Sequence, residues 1–310
     1  MANPALYLLD GYGLIYKSYF AFINRPLTNP AGQNSSAVFG FFRSLHMLLR
    51  REQPEYLVVA MDSRTPTFRH EAYADYKATR EKSPEDLKAQ IPVVEEILAA
   101  LRIPMLRVDG YEADDIIASL VRHCREEKRP ARVVSSDKDL LQLATNDVHV
   151  LKQDKGEFHD LGPEAVRDAW GVGPGQIGDY LALVGDSSDN VPGVAGVGAK
   201  TAAKLLQEHG SLETIYERLE TIQSASWRRK LEEGRERAFL SRKLVELAYD
   251  VPIDSDLEQY SITEMDGKAA APLFLREGME RVARDFADGN SVPSSGVAAS
   301  APARPASHGL

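Results

Sequence analysis

The chain has 310 residues, of which 43% are hydrophobic and 27% are charged; this balance is typical of a soluble globular protein, and the length suggests about two domains. The net charge of −9 argues against a protein that binds nucleic acid over its whole surface, but it is compatible with a local basic surface. The apolar runs are too short to span a membrane, residues 1–4 lack a signal-peptide pattern, and the single cysteine, Cys124, excludes an intrachain disulfide. We therefore expect a cytoplasmic protein with no membrane partner.

Three short apolar runs each lead directly into an aspartate: residues 5–9 into Asp10, residues 56–61 into Asp62, and residues 132–136 into Asp137. Runs of this length are typical of buried strands in a parallel sheet, and further strands are predicted near 103–108 and 147–151. Ligands of open parallel sheets bind beyond the carboxyl ends of the strands. The three aspartates are therefore predicted to share one edge of a sheet.

Helical patterns alternate with these strands. One begins near Ser35 and Ser36, which are favourable N-cap residues, and others are predicted over 91–101 and about 112–127. Such alternation indicates an α/β fold with a mostly parallel central sheet flanked by helices. From about residue 161 the pattern is all-helical and punctuated by glycines, which predicts a second, helical subdomain.

Six further acids add to the strand-end aspartates: Glu112, Asp114 and Asp115 in one cluster, then Asp139, then Asp186 and Asp189. Taken singly, such residues are unremarkable, because aspartates are common in turns and acids are favourable in a first helical turn. Nine carboxylates in one place, however, would repel one another strongly unless cations lay among them. Ligands that are all oxygen suit Mg²⁺ or Mn²⁺ and do not suit zinc.

The segment 63–90 interrupts the α/β pattern with few aliphatic residues, and it interleaves basic and aromatic side chains: Arg64, Phe68, Arg69, Tyr73, Tyr76, Lys77, Arg80 and Lys82. This mixture suits the backbone and bases of single-stranded nucleic acid. The acids Glu71, Asp75 and Glu81 dilute the charge, so an ordinary solvated helix is the alternative. Because little anchors the segment, we expect it to be mobile until DNA binds.

A glycine-rich segment over residues 193–204 opens another predicted helix. A P-loop would need a lysine directly after its last glycine, but Ala199 separates Gly198 from Lys200, and no buried strand leads into the segment. A helical hairpin that presents backbone N–H groups to a phosphate fits better, with Lys200 and Lys204 facing the same way. Glycine-rich helix joints without ligands are also common.

Together, these motifs closely resemble those of the 5′-nuclease family, which includes the N-terminal domain of bacterial DNA polymerase I and the flap endonucleases. Seven motifs occur in the family's order between about residues 5 and 285: Leu9-Asp10-Gly11; Asp62; Phe68-Arg69-x-Glu71 with Tyr76-Lys77-x-x-Arg80; Tyr111-Glu112-Ala113-Asp114-Asp115; Asp137-Lys138-Asp139-Leu140; Gly185-Asp186-x-Ser188-Asp189-Asn190; and Pro192-Gly193-Val194-x-Gly196-Val197-Gly198-x-Lys200-Thr201-Ala202.

The resemblance implies a domain organisation. Residues 1–160 would form a PIN-like α/β nuclease core with a helical arch over 63–90. Residues 161–289 would form a helical DNA-binding subdomain with a helix–turn–helix hairpin over 191–206. Residues 290–310 lie outside the resemblance; their richness in Ala, Ser and Pro predicts a flexible linker or tail.

The resemblance also implies roles for individual residues. One metal ion or its waters would be held by Asp10, Asp62, Glu112, Asp114, Asp115 and Asp137, and a second ion by Asp139, Asp186 and Asp189. Lys77 and Arg80 would be catalytic residues of the arch, and DNA would be bound by Arg69, Tyr76, Gly193, Gly196, Gly198, Lys200, Thr201 and Lys204, in some family members with K⁺ at the hairpin. On this interpretation Asp115→Asn would abolish turnover and leave or raise thermal stability.

The implied activity is metal-dependent hydrolysis of phosphodiester bonds at the 5′ end of DNA, as a 5′–3′ exonuclease and flap endonuclease in primer removal and repair. Two metal ions about 4 Å apart would activate water, clamp the phosphate and relieve charge on the leaving oxygen. The expected partners are DNA with a 5′ flap, a nick or a free 5′ end, and a covalently linked polymerase domain where one follows. The protein itself is expected to be a monomer.

Three other functions remain as alternatives. A phosphatase of the haloacid dehalogenase type would need a nucleophilic Asp-x-Asp after the first strand, but the second position is Tyr12. A small PIN-class ribonuclease would share the acidic sheet edge but usually lacks the arch and the glycine-rich hairpin. A non-catalytic nucleic-acid-binding module would be distinguished by the absence of cleavage when Mg²⁺ is added.

Overall fold

A six-stranded sheet lies at the centre of the computed structural model, which describes residues 3–80, 82–154 and 156–288. The strands are β1 (Leu6–Asp10), β2 (Tyr56–Ala60), β3 (Met105–Leu106), β4 (Ala131–Val134), β5 (Val148–Asp154) and β6 (Glu157–Leu161). Their order across the sheet is β3-β2-β1-β4-β5-β6, with β1 to β5 parallel and β6 antiparallel to β5. The predicted mostly parallel sheet is confirmed. The predicted tail at 290–310 lies outside the described residues.

The position of the carboxyl edge follows from the register of the three central strands. Leu9 of β1 is opposite Val59 of β2 on one side and Val134 of β4 on the other. The chain builds β2 and β3 on one side of β1 and then crosses to build β4 and β5 on the other side. Connections therefore diverge between β1 and β4, which opens a crevice where parallel sheets bind ligands.

Both faces of the sheet are covered by hydrophobic clusters, and successive side chains of β1 point alternately into each. Leu6 and Leu8 pack into one hydrophobic cluster and Tyr7 and Leu9 into the other. The helices that follow the first strands are α1 (Gly11–Ala21), α2 (Ser36–Glu52), α3 (Phe68–Ala72), α4 (Glu85–Ala100) and α5 (Ala113–Glu126). Of these, α5 packs against β1 and β2, and its first turn reaches the carboxyl edge.

The second part of the chain is helical: α6 (Pro163–Trp170), α7 (Ile177–Val184), α8 (Ala199–His209), α9 (Leu212–Glu217), α10 (Ala225–Val245), α11 (Gly267–Arg276) and α12 (Glu280–Ala287). Helix α7 packs between α8 and α10, whereas α11 and α12 return to pack on α4 and α2. Phe274 of α11 lies 5.1 Å from Phe42 of α2 between ring centroids. Within the described ranges, no helix combines the length and hydropathy that a membrane crossing requires.

Two local differences from the sequence prediction have simple causes. Strand β6 was not predicted, because its alternation is mostly polar; it is an edge strand with only Phe158 buried. Helix α4 begins at Glu85 and not near residue 91, since Pro84 precedes it and Glu85 and Asp86 occupy its first turn. The end of segment 63–90 therefore belongs to a regular helix.

Candidate active site

Five of the nine predicted acids line one open cleft at the carboxyl edge, with a volume of about 930 Å³. They are Asp10, Asp62, Glu112, Asp114 and Asp137, and the cationic side chains Lys77 and Arg80 line the same cleft. The strand ends therefore bring together residues that are up to 127 positions apart in the sequence. The other four acids lie beside this cleft or beneath its wall.

Asp10 owes its orientation to the turn between β1 and α1. Its Oδ1 accepts a hydrogen bond from the amide of Gly13 at 2.8 Å, which caps the helix, and its Oδ2 accepts one from the Ser135 hydroxyl at 2.8 Å. A Cβ on residue 13 would lie 2.2 Å from Oδ2, and a Cβ on Gly11 would lie 2.4 Å from the sulfur of Met61. Glycine at position 13 therefore lets the aspartate fold back over the helix, and glycine at position 11 lets the turn pack against the end of β2.

Asp62 and the first turn of α5 hold each other in place. The Oδ1 atom of Asp62 accepts a hydrogen bond from the amide of Ala113 at 2.8 Å. This contact fills one of the free N–H groups at the start of α5. Glu112 and Asp114 flank that amide, so the same helix end delivers two further carboxylates to the cleft.

Asp137 and Asp139 are placed by a tight turn after β4. The amide of Asp137 donates to Ser135 Oγ at 2.9 Å, and Asp137 Oδ1 accepts from the amide of Asp139 at 2.8 Å. The Oδ1 atom of Asp139 is buried and has no hydrogen-bond partner among the described residues. A buried carboxylate oxygen without a donor is costly and is a reason to expect a cation beside it.

Burial and mutual repulsion raise the pKa values of five acids in and beside the cleft. Burial and the nearby charge of Asp62 raise the pKa of Asp10 to about 6. Burial, with repulsion from neighbouring carboxylates, also raises the pKa values of Asp62 and Asp137. The same two causes raise the pKa values of Asp114 and Asp139 well above the usual range. We call these five residues the repulsive cluster. Carboxylates held in this state gain stability from any cation that binds between them.

Three lysine or arginine side chains already pair with three of the four remaining acids of the site. Lys77 Nζ lies 2.7 Å from Glu112 Oε1, Arg80 pairs with Asp189, and Lys138 Nζ lies 2.8 Å from Asp186 Oδ2. Although burial opposes it, Lys138 and Ser188 lower the pKa of Asp186. With the side chains arranged in this way, no group of three or more Asp, Glu, His or Cys residues in the described ranges is close enough to hold a metal ion.

Lys77 and Arg80 reach the acids because their segment rests on the loop that carries Asp189. The amide of Lys77 donates to the carbonyl of Asp189 at 2.9 Å, and Asn190 Nδ2 donates to the carbonyl of Asp75 at 2.7 Å. Lys77 itself has a positive φ of 57°, an unusual conformation for a lysine. This part of segment 63–90 is therefore docked in the structure, and its mobility in the absence of DNA stays a prediction.

Two residues that were predicted to bind DNA are buried here. Tyr76 is 4% exposed, and its hydroxyl lies 3.1 Å from Glu112 Oε2 and 3.2 Å from Asp189 Oδ2. Arg69 is 3% exposed, and its guanidinium is held inside the protein by Asp115 and the carbonyl of Leu244, with Glu112 Oε2 3.5 Å away. Neither side chain is exposed enough to contact DNA in this conformation. Both instead hold acids of the site in place, Tyr76 through Glu112 and Arg69 through Asp115.

Asp115, predicted to be a metal ligand, also differs from its neighbours. It is fully buried, and its two carboxylate oxygens accept hydrogen bonds from Arg69 at 2.7 and 2.8 Å. Two backbone amides donate to the same carboxylate. With both oxygens bound by internal donors, Asp115 is an anchor of the site in this structure and is not oriented to ligate an ion.

The predicted hairpin is formed by α7, the turn after it and α8. Gly193 is buried in the turn, where a Cβ would lie 2.5 Å from the amide of Gly185, so its role is close packing. Further along, Gly196, Gly198, Lys200 and Lys204 are exposed, whereas Thr201 is half-buried. Lys204 lies over the ring of Trp227 at 5.5 Å. The exposed part presents glycine amides and two lysines on one surface.

Sequence reasoning missed an aromatic row along the cleft. Tyr12, Tyr16 and Phe20 lie four residues apart on α1, with successive ring centroids 5.7 and 5.1 Å apart. All three line the cleft, and Phe20 is 44% exposed. The hydroxyls of Tyr12 and Tyr16 lie 3.3 and 3.5 Å from Ser83 Oγ, on the far side of segment 63–90. The four-residue spacing directly after Asp10 was the available signal.

Two family models match consecutive parts of the chain. Residues 5–171 match the model of the N-terminal resolvase-like domain of 5′-3′ exonucleases, and residues 172–268 match the model of their C-terminal SAM fold. Among individual proteins, DNA polymerase I of Treponema pallidum is 49% identical over 285 residues, which is 92% of this chain but 28% of that polymerase. A 5′-3′ exonuclease of Aquifex aeolicus is 43% identical over 261 residues, which is 84% of this chain and 88% of that protein.

Solved structures share the fold at low sequence identity. The 5′-exonuclease of T5, in a structure with bound zinc ions, superposes with a TM-score of 0.66 at 20% identity and covers 92% of this chain and 98% of its own. The catalytic core of Rad2, in complex with a DNA substrate, superposes with a TM-score of 0.59 at 17% identity, covering 92% of this chain and 91% of its own. The family models and the Aquifex relative establish that this chain belongs to the 5′-3′ exonuclease family.

Proposed function

We propose that the chain hydrolyses phosphodiester bonds near the 5′ end of DNA, both as a 5′–3′ exonuclease and at the base of 5′ flaps, in primer removal and repair. The observation that carries the proposal is the repulsive cluster: five carboxylates of raised pKa at the carboxyl edge, four of which line the same cleft as the cationic side chains of Lys77 and Arg80. Membership of the 5′-3′ exonuclease family supports the reaction class.

The donor types in and beside the cleft suit divalent metal ions, although the side chains would have to move closer together than they lie in the structure. The proposed donors are all carboxylate oxygens, and one beside the cleft, Asp139 Oδ1, is buried without a hydrogen-bond partner among the described residues. We propose Mg²⁺ or Mn²⁺, two ions, held by the repulsive cluster together with Glu112, Asp186 and Asp189, with Asp115 in a supporting role. When bound, the ions would supply an activated water and charge relief on the phosphate. Metal-bound solved structures of the T5 enzyme lend support.

Lys77 and Arg80 are proposed to exchange partners when substrate enters. In the structure their charges satisfy Glu112 and Asp189. Although burial alone would lower the pKa of Lys77, Glu112 and Asp189 outweigh it and raise that pKa, so the ammonium stays charged. Once metal ions neutralise those acids, the two cations are free to contact the scissile phosphate, where they would stabilise the charge that develops in the transition state.

The DNA itself is proposed to bind in two places. Gly196, Gly198, Lys200, Thr201 and Lys204 would hold the duplex backbone through amides and ammonium groups, which gives affinity without sequence preference. The aromatic row on α1 offers ring faces on which bases near the cleaved bond can stack. K⁺ at the hairpin, a monomeric state, a cytoplasmic location and a linked polymerase domain remain proposals; DNA polymerase I relatives of which this chain spans about 28% support the last.

Cleavage of a labelled substrate tests the proposal. The full chain is incubated with DNA carrying a 5′ flap, with nicked duplex and with a recessed 5′ end, in the presence of Mg²⁺ and separately with a chelator. We expect single-nucleotide products and flap products that depend on Mg²⁺, and no products with the chelator. Asp139→Asn is the catalytic control, because it removes the unpartnered carboxylate without removing a hydrogen bond of the described structure.

Two results would contradict the proposal. Binding to all three substrates without cleavage at any Mg²⁺ or Mn²⁺ concentration would favour a non-catalytic DNA-binding module. Full activity in Asp139→Asn would remove that residue from the metal site. A matched set of substrates with RNA at the 5′ end separates the two nucleic acids as preferred substrates.

A further inference from the structure

The buried guanidinium of Arg69 joins three parts of the chain that are distant in sequence. Its Nη1 and Nη2 donate to Asp115 at 2.7 and 2.8 Å, its Nε donates to the carbonyl of Leu244 at 2.8 Å, and its Nη2 also donates to the carbonyl of Glu246 at 2.7 Å. Arg69 belongs to α3, Asp115 to the first turn of α5, and the two carbonyls to the end of α10 and the residues after it. One side chain thus ties segment 63–90 and the cleft to the helical part.

Asp115 completes this junction and extends it to the cleft. Its Oδ1 accepts a hydrogen bond from the amide of Ala248 at 2.9 Å, and its Oδ2 accepts one from the amide of Glu112 at 3.1 Å. The carboxylate therefore fixes the backbone of a residue whose own side chain lines the cleft. A movement of the end of α10 would be transmitted directly to Glu112.

Helix α10 also contacts the DNA-binding hairpin, at positions from Lys230 to Ser241. The Ser241 hydroxyl accepts a hydrogen bond from the amide of Gly193 at 2.9 Å, and Lys230 Nζ donates to the carbonyl of Gly196 at 3.0 Å. Gly234 lies against Val194, where an added Cβ would come within 2.7 Å of Val194 Cγ1. Ser241 is about one helical turn from Leu244, whose carbonyl Arg69 binds. Helix α10 therefore connects the hairpin directly and rigidly to the Arg69–Asp115 pair.

We propose that the Arg69–Asp115 pair is a positioning pair that sets the distance between the duplex held by the hairpin and the cleft, and so determines which phosphodiester bond is cut. The inference rests on the proposed function, because it concerns where that reaction takes place. Successive base pairs rise about 3.4 Å along a DNA helix, so a shift of the hairpin by a part of that distance would present a neighbouring bond. Displacements near 1 Å are enough to change rates greatly.

The competing explanation is that the pair only stabilises the fold. Buried ion pairs are weak evidence for stability on their own, because desolvation offsets their attraction. The chain offers a matched control in Arg129, which is 5% exposed, lies over the ring of Tyr56 at 4.3 Å and pairs with Glu258. Arg69 is similarly buried and lies over the ring of Phe68 at 4.5 Å. Arg129, unlike Arg69, has no contact with the cleft or with α10 among the described residues.

The experiment maps cut sites at single-nucleotide resolution on a labelled 5′-flap substrate with Mg²⁺, using the full chain. We compare wild type, Arg69→Lys, Arg69→Met, Ser241→Ala and Arg129→Met, and we measure the urea unfolding of each. The Arg69 variants and Ser241→Ala should raise the fraction of product cut one or more nucleotides from the main site by roughly tenfold. Arg129→Met should keep the wild-type cut site whatever its loss of stability.

The outcomes separate the two levels of the argument. Wild-type protein that leaves every substrate intact refutes the proposed function itself. Wild type that cuts one main bond, with Arg69→Lys and Ser241→Ala folded and cutting the same bond in the same proportion, refutes the positioning role alone. A cut site that shifts equally in Arg129→Met would show that general loosening of the fold is the cause, which also overturns the inference.

Discussion

Asp114 and Asp115 are adjacent in the first turn of α5, yet they lie in opposite electrostatic environments. Burial and the charges of Asp137 and Asp10 raise the pKa of Asp114 well above its usual range. Asp114 is half-buried, whereas Asp115 is fully buried and is bound by the guanidinium of Arg69 and by two backbone amides. The comparison shows two ways to stabilise a carboxylate at this helix end. Asp114 would be stabilised by a bound cation, whereas Asp115 is already stabilised by the guanidinium of Arg69.

The largest expected effect is on catalysis in Asp114→Asn. If Asp114 is part of the metal site, the substitution should lower the cleavage rate of flap DNA by about a thousandfold, because a bound metal contributes several kcal/mol to the transition state. Without metal, the same variant should be at least as stable as wild type, since like-charge repulsion is relieved. Single-turnover cleavage and urea unfolding in chelator measure the two effects; a variant that loses stability in chelator would contradict the repulsion.

Asp115→Asn should do the reverse for stability. The substitution leaves the charge of Arg69 buried without its counter-ion, which should cost about 3 kcal/mol of the free energy of unfolding. This corrects the expectation, drawn from repulsion alone, that the variant would keep or gain stability. Urea unfolding tests it, and the double variant Arg69→Met with Asp115→Asn should recover part of the loss. Unchanged stability in the single variant would remove the anchoring role.

Lys77→Ala tests a residue between the two aspartates, because Lys77 pairs with Glu112, whose side chain lines the cleft and whose amide donates to Asp115. Single-turnover cleavage should fall by about a hundredfold, the usual cost of losing a charge-stabilising donor. Metal binding to the free protein should strengthen by roughly twofold to fivefold, because a competing cation is removed. Arg80→Ala, whose side chain is more exposed, should show smaller changes of the same sign. Weaker metal binding in Lys77→Ala would show that the lysine does not compete.

The pH dependence of stability in chelator isolates the repulsive cluster. The folded-state pKa of Asp10 is raised from 3.8 to about 6, so the folded protein holds a proton that the unfolded chain has lost in this window. The contribution of Asp10 to the free energy of unfolding should therefore be fully present below its unfolded-state pKa of 3.8, and it should be lost as the pH rises through its folded-state pKa of about 6. Between pH 4.5 and pH 7, wild type should lose about 2 kcal/mol more than Asp10→Asn. Equal slopes in urea unfolding would exclude a raised pKa at Asp10.

The smallest effect is expected far from both aspartates, at the hairpin. Lys200→Ala with Lys204→Ala should weaken duplex binding and lower the salt slope of log Kd by about two, since each phosphate contact contributes about 0.9. The single-turnover rate at saturating protein should be unchanged. Lys268→Ala, an exposed lysine on α11, is the control. Normal binding with slow cleavage in the double variant would contradict a hairpin that grips DNA.

The carboxyl edge was predictable because local patterns determine it. Apolar runs that end in Asp10 and Asp62 specify buried parallel strands, and parallel strands end at one edge. The register then brings the acids together without further information. The row of Tyr12, Tyr16 and Phe20 was equally visible at helical spacing, but such spacing alone is no more typical of a ligand site than of a hydrophobic core.

The roles of Arg69 and Asp115 could not be predicted in the same way. The carbonyls that Arg69 binds lie 175 and 177 residues further along the chain, and a backbone carbonyl leaves no mark in a sequence. Without that partner, Arg69 looks like one more cation of a basic segment, and Asp115 looks like one more acid of a metal cluster. The packing of α11 and α12 on the α/β core was also not predicted, because an amphipathic pattern shows that a helix has a buried face but does not show which element covers it.

Calorimetric titration of the DNA-free protein with Mn²⁺ tests most directly whether the neighbouring residues Asp114 and Asp115 have different roles. Wild type, Asp114→Asn and Asp115→Asn are compared at a temperature at which all three are folded. We predict that Asp114→Asn weakens Mn²⁺ binding by roughly 100-fold or more, whereas Asp115→Asn keeps the wild-type stoichiometry and weakens binding by less than roughly tenfold. Loss of the ion in Asp115→Asn together with wild-type binding in Asp114→Asn would contradict the account.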